Sequence, residues 1–433
     1  MNNKRIVQNI RVGLICKPFS VLLNLMIFPL TIKFFSQETY GIWVTIFSFV
    51  SWINLFDIGI GNGLKNKLTQ SLVNEDYKRS REYIATTYIF LIIISTFIFL
   101  IFFFISYLIQ WDKIFNVKIL DSNYIREIIV INIFFICVSF ILKTSENIYY
   151  SLHKTSFIAG FQLSNQLLNF LILIIITRWF KIENKLLILS FLFGVSNLFI
   201  QLLSTINIFF NNKKLQFSIS DFNKNLISDL LILGSKFFIM QIAGLIIFTT
   251  DNIIITQLFG PKQVTPYSIT FKIFSLITMV HGIIMTPLWT SFTQAYHQKN
   301  KNWILKIIKK LRKLEILICL GVITIYFIFP LLMKYWIKSE IYISNTLKVG
   351  FGYYVLILTW NNIQTSALNG FGRIENSYKI SIIEGIVNIP LSIYLAKNLG
   401  MGIAGVVWGT NITLMISAIA NYLILRKILK NLI

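Results

Sequence analysis

The sequence predicts an all-α integral membrane protein of about twelve spanning helices, and three observations carry that expectation. Apolar residues make up 55% of the 433 positions and charged residues only 13%, too few to coat a water-soluble surface. The apolar residues fall in runs of about twenty, the length at which a helix crosses roughly 30 Å of hydrocarbon. Strand-like alternation is missing, and lipid requires every backbone amide to pair internally, which a helix achieves within one segment.

Spans are expected at about 12–35, 40–60, 83–109, 125–142, 157–176 and 186–210, and again at about 230–258, 264–290, 316–336, 346–368, 378–396 and 403–425. Lys4, Arg5 and Arg11 precede the first run, which contains Lys17 and lacks a small-residue cleavage site. It therefore reads as a retained helix rather than a signal peptide. Cys16, Cys137 and Cys319 each lie in an apolar run without ligand spacing, and read as small apolar side chains. The formal charge is +23, and its distribution is more informative than its size. With both termini inside, the inner segments and span ends hold 27 of the 40 Lys and Arg residues, the outer ones hold 12, and Lys272 alone lies well inside a span. That asymmetry predicts cytoplasmic termini by the positive-inside rule. No nucleic-acid partner is expected.

The two halves, 1–224 and 225–433, resemble each other. A shift of 224 residues lays Phe35-Ser-Gln-Glu-Thr-Tyr40 on Phe259-Gly-Pro-Lys-Gln-Val264. Six helices per half give two six-helix bundles of the same orientation, related by an axis along the membrane normal. The stretch 303–314 has Trp303, Ile304, Ile307, Ile308, Leu311 and Leu314 on one helical face, and Lys306, Lys309, Lys310 and Lys313 on the other. We expect it to lie on the inner membrane surface, held by anionic lipid.

Ionisable residues inside spans are costly, by roughly 2.5–3.5 kcal/mol on insertion scales, and usually face a cavity or a partner. Asp251 and Lys272 lie about equally far on either side of the turn at Pro261-Lys262, so an antiparallel hairpin sets them at the same depth. They read either as a buried ion pair or as a lysine that holds an anion while Asp251 tunes it. The 224-residue shift also lays Asp57 on His281. Asp57 begins Asp57-Ile-Gly-Ile-Gly-Asn-Gly63, a run whose alternate glycines break a helix and let backbones approach. It reads as a cap for the broken end or as part of an inner gate. Glu384 sits midway along the eleventh span, near Gly385 and Asn388. Pro18, Pro29, Pro287, Pro330 and Pro390 interrupt or flank spans and are expected to kink them. No enzyme motif, nucleotide-binding loop or metal-ligand spacing is present, so no cofactor, metal or catalytic residue is expected.

The segments Tyr40-Gly-Ile-Trp-Val44, Leu55-Phe-Asp-Ile-Gly-Ile-Gly-Asn-Gly-Leu64, Arg81-Glu-Tyr83 and Thr87-Tyr88 occur in the first three spans. Thr250-Asp-Asn252, Phe259-Gly-Pro261, Val264-Thr-Pro-Tyr267, Phe271-Lys272 and Thr286-Pro-Leu-Trp289 occur in the seventh and eighth. By these segments, in this order, the chain resembles oligosaccharide flippases of the O-antigen (Wzx-type) polysaccharide-export family. That family shares a superfamily with multidrug-and-toxin extruders and lipid II flippases. The resemblance implies a fold like the multidrug extruders and a bacterial inner-membrane location. It implies an undecaprenyl-pyrophosphate-linked glycan as cargo, of O-antigen or capsule type, moved by alternating access through a cationic lumen. It also implies membrane lipid, a polysaccharide polymerase and other assembly proteins as partners, with the chain functional as a monomer. Lys272 would then meet the pyrophosphate as a point charge. Lys17 and Lys33, at the two ends of the first helix, would extend a basic path or snorkel to the headgroups. With no nucleotide site, an ion gradient or consumption of the cargo outside would drive the cycle, with Asp57, His281, Asp251 and Glu384 as coupling candidates. The alternative reading is a cation or drug antiporter, whose site needs lumenal carboxylates.

Overall fold

The computed structural model describes residues 3–57, 59–152, 154–179, 184–338, 340–371 and 374–431. Among them there are helices and turns but no strand. In chain order the helices are α1 (Asn3–Phe34), α2 (Gln37–Ser51), α3 (Ile60–Val73), α4 (Tyr77–Ser106), α5 (Trp111–Ile114), α6 (Ser122–Leu142), α7 (Thr144–Ser151) and α8 (Thr155–Trp179). They continue with α9 (Lys185–Asn211), α10 (Asn225–Phe259), α11 (Val264–His297), α12 (Lys301–Leu331), α13 (Asn345–Gly370), α14 (Ile374–Ile393) and α15 (Ile403–Asn431). Each expected span overlaps one helix or more, and seven stretches among the described residues are long and apolar enough to cross a bilayer. The protein is an all-α, multi-pass membrane protein.

Local chemistry sets the helix starts. Asp76 accepts from the Arg79 amide at 2.8 Å, Asn300 from the Trp303 amide at 3.1 Å, and Ser344 from the Leu347 amide at 3.3 Å. Each cap satisfies an amide that has no partner within its helix. The second expected span does break at its glycines. It leaves α2 for a 3-10 turn, Trp52–Asp57, and restarts at α3. Gly59 caps α3 in the left-handed region, φ 69°, which a side chain disfavours. Pro330 and Pro390 lie inside α12 and α14. Each helix then runs into a π-helical turn, Leu332–Ile337 and Tyr394–Asn398.

Contacts group the chain into two compact units. Unit 1 comprises Met1–Ser36 and Phe49–Gln241. In it α1 packs on α8, α6 on α4 and α9, and α3 on α4 and α7. Unit 2 comprises Gln37–Ser48 and Ile242–Ile433. There α13 packs on α11, α12 and α15, and α15 covers α14.

The stretch 303–314 corrects an expectation. It does not form a separate surface helix but is the start of α12, continuous with the apolar segment that follows. Its apolar face, Ile304, Ile308 and Leu311, is buried against Phe292, Ala367, Phe371 and Leu425 in the core of unit 2. The amphipathic pattern records burial of one face, and here protein rather than lipid provides the cover.

Candidate functional site

A seam of buried polar side chains runs through unit 2. Asp251, on α10, is 7% exposed. The Tyr267 hydroxyl, on α11, donates to its Oδ2 at 2.5 Å. The Thr410 hydroxyl, on α15, lies 3.5 Å and 3.4 Å from its two oxygens. Asn388, on α14, extends the seam by donating to Thr410 Oγ1 at 3.0 Å and Thr413 Oγ1 at 3.3 Å. A carboxylate taken from water needs such donors, because an unpaired one costs several kcal/mol. The Tyr267 ring is fixed edge-on to Phe351, with centroids 4.9 Å apart.

One turn before Asn388 on α14 is Glu384, 3% exposed. It lies against Ser417 of α15. Ser417 accepts from Asn361 Nδ2 at 2.8 Å, and Asn361 Oδ1 accepts from Asn421 Nδ2 at 3.0 Å. Glu384 Oε1 and Asn388 Oδ1 have no hydrogen-bond partner among the described residues.

A second cluster joins α11, α12 and α13. His281 Nε2 is 3.9 Å from Glu315 Oε1, and the Thr359 hydroxyl donates to Glu315 Oε2 at 3.0 Å. His281 is 2% exposed, and neither of its ring nitrogens has a hydrogen-bond partner among the described residues. Sequence reasoning found His281 but missed Glu315. The available signal was that Glu315 is an acid directly after a run of seven basic residues between 299 and 313.

The other expected site residues are placed as follows. Lys272 is half-buried on α11, and Asp251 pairs with Tyr267 and Thr410 instead of forming an ion pair with it. Asp57 ends the 3-10 turn before α3, and its side chain lies outside the described residues, as does that of Lys17 on α1. Lys33 is exposed in the last turn of α1. No group of three or more His, Cys, Asp or Glu side chains suited to a metal occurs among the described residues.

The two motif-bearing turns that the internal repeat treats as equivalents pack on each other within unit 2. A Cβ on Gly41 would lie 1.8 Å from the Pro261 carbonyl oxygen, so only glycine admits this approach. Thr45 and Thr256 hydroxyls are 2.7 Å apart, and Asn252 Nδ2 donates to Ser48 Oγ at 2.9 Å.

Residues 6–294 match the family described as "Polysaccharide biosynthesis protein". The chain is 20% identical over 388 residues to a protein of Yersinia pseudotuberculosis named for O-antigen export, covering 88% of this chain and 87% of that one. It is 22% identical over 187 residues, 41% of each chain, to a protein of Salmonella typhimurium named as an O-antigen transporter. An inward-facing multidrug resistance transporter of the MATE family, in the MOP superfamily, superposes with a TM-score of 0.76 at 15% identity, covering 98% of both chains. An outward-facing one superposes with a TM-score of 0.66 at 14% identity, over 99% of this chain and 96% of that one. With a family match over more than half its length and this fold beneath it, the chain belongs to the polysaccharide biosynthesis protein family and is a membrane protein built like the MOP-superfamily transporters.

Proposed function

We propose that the protein flips an undecaprenyl-pyrophosphate-linked oligosaccharide, an O-antigen or capsule repeat unit, from the cytoplasmic to the outer leaflet of the bacterial inner membrane. The observation that carries this reading is the polysaccharide-family match along 6–294 of a chain with a transporter fold. The halves 1–224 and 225–433 act as the two bodies of an alternating-access cycle, with both termini cytoplasmic and the chain working as a monomer. Lys272 serves the pyrophosphate as a cation, and its freedom from Asp251 supports that role. Lys17 and Lys33 extend the basic path. Asp251, Glu384, Asp57 and His281, the last with Glu315, couple the cycle to an ion gradient. A polysaccharide polymerase and other assembly proteins take the product onward.

The buried acids Asp251 and Glu384 favour one alternative, a cation or drug antiporter. Vesicles containing the purified chain distinguish the two. We expect uptake of a fluorescent undecaprenyl-pyrophosphoryl glycan and none of ethidium; ethidium exchange without glycan movement rejects the flippase. For orientation, a cysteine placed at Asn300 on a cysteine-free background should resist membrane-impermeant reagents in intact cells, and external labelling would reverse the topology.

A further inference from the structure

A pocket of about 580 Å³ opens at the junction of α3, α7 and α8, lined wholly by residues of unit 1. It is separate from the buried seam of unit 2 and lies on the side that the basic loops assign to the cytoplasm. Its construction follows from the glycine run. A Cβ on Gly61 would fall 2.5 Å from Asn147 Nδ2, so glycine lets α3 close on α7. The Ser151 hydroxyl then ties the two helices by donating to the Lys65 carbonyl at 3.0 Å. On that base Lys65 Nζ sits 4.4 Å from the centroid of the Tyr150 ring, and Tyr150 is 36% exposed.

By residue type the lining is polar, although most of the surface it presents is carbon. Asn66, Gln70 and Asn74 bring three amides, Thr69 and Thr155 two hydroxyls, and Val73 is the one aliphatic side chain. None of the lining residues is acidic. An acyl chain finds one aliphatic side chain, Val73, and otherwise only the carbon stems of polar residues. A phosphate finds a single cation in the lining, Lys65. Amides and hydroxyls both donate and accept, as a sugar's hydroxyls do, and an aromatic face suits the C–H side of a pyranose ring. We propose that this pocket is a recognition site for a neutral hexopyranose, one ring of the glycan, engaged by Tyr150 and the amides of α3 at the cytoplasmic end of unit 1. The site rests on the flippase reading, which supplies a glycan at this face.

Saturation-transfer NMR on the full chain in lipid nanodiscs tests it, with glucose, galactose, N-acetylglucosamine and inorganic pyrophosphate as separate probes. At least one sugar should bind. Tyr150→Ala should weaken it by about tenfold, and Tyr150→Phe should stay within about twofold of the wild type. Four results overturn the site: no sugar bound; pyrophosphate bound in place of sugar and lost in Lys65→Ala; sugar binding indifferent to Tyr150→Ala; or equal loss in Tyr150→Phe. Deleting the gene and restoring surface glycan with the wild-type chain tests the flippase reading independently. Sugar binding with no export defect on deletion sinks that reading alone, and an export defect without sugar binding sinks this site alone.

Discussion

Deep in unit 1 the side chains that pair between helices are neutral, whereas its longer-range ion pairs, Lys67 with Asp229 and Arg81 with Asp221, are partly exposed. The Ser145 and Ser204 hydroxyls are 3.1 Å apart, Tyr149 donates to Asn207 Oδ1 at 2.7 Å, and Gln201 Nε2 donates to Ser139 at 2.8 Å. Unit 2 has neutral pairs as well, such as Asn361 with Ser417, but it adds groups that ionise: among the described residues, every Asp, Glu or His side chain that is fully buried lies there. A neutral pair contributes about 1 kcal/mol and is enough to hold helices together. A carboxylate adds roughly 2.5–3.5 kcal/mol of insertion cost that packing does not require. The comparison therefore separates polar groups that build the bundle from polar groups retained for what they do.

The sharpest test is Asp251. Asp251→Ala should lower glycan export below about one-tenth of the wild type and leave Tyr267 and Thr410 short of an acceptor, a loss of about 1–3 kcal/mol. Asp251→Asn keeps the shape and removes the charge. It should lose export while melting close to the wild type in detergent, and full export by this variant would show that ionisation at 251 is irrelevant. Exchanging the charges, Asp251→Lys with Lys272→Asp, should fail to restore export, because the two residues are not each other's partners; recovery would return the ion pair. A smaller effect is expected at the α11–α12–α13 cluster. His281→Gln and Glu315→Gln should each reduce export several-fold and alter its pH profile, because each removes one of the two ionisable groups of the cluster. Unchanged profiles in both variants would remove the pair from coupling. Gly63→Ala acts on stability instead. The new Cβ would lie 2.3 Å from the Leu230 carbonyl oxygen, and forcing α3 from α10 should cost about 1–3 kcal/mol by thermal melting. Ser204→Ala should cost about 1 kcal/mol and leave export near normal. If it silences export as fully as Asp251→Ala, the contrast between the units collapses.

Much of the fold was legible because lipid writes its thickness into the sequence as apolar runs. The glycine run was legible too, since alternate glycines have little use in an uninterrupted helix. The pairing of Asp251 was not. Counting residues from a turn gives height along the hairpin, but each residue also advances about 100° around the helix. Equal spacing from the turn sets Asp251 and Lys272 at one expected depth, yet Tyr267, five residues nearer the turn than Lys272, is the residue that meets the carboxylate. Glu315 was hidden for a related reason. A stripe of period 3.6 tells that a face is covered, not by what, so 303–314 read as a lipid-facing helix and the acid after it lost its context. The meeting of Gly41 with Pro261 was also invisible, because an internal repeat suggests equivalence between two segments and says nothing of contact.

The assignment of Gln37–Ser48 to unit 2 has a consequence for how the protein is made. Thr45 is synthesised 211 residues ahead of its partner Thr256. At about 5–20 residues per second, translation takes about 10–40 s to deliver it. Throughout that interval α2 waits without the hairpin it packs on. Its hydroxyls have an interim arrangement within the helix: Thr45 donates to the Gly41 carbonyl at 2.8 Å and Ser48 to the Val44 carbonyl at 2.9 Å, so neither lacks an acceptor while the ribosome works. A helix laid down early is thus held in reserve for a body completed late, and a nascent chain that stalls before residue 242 leaves an orphan span for quality control to find.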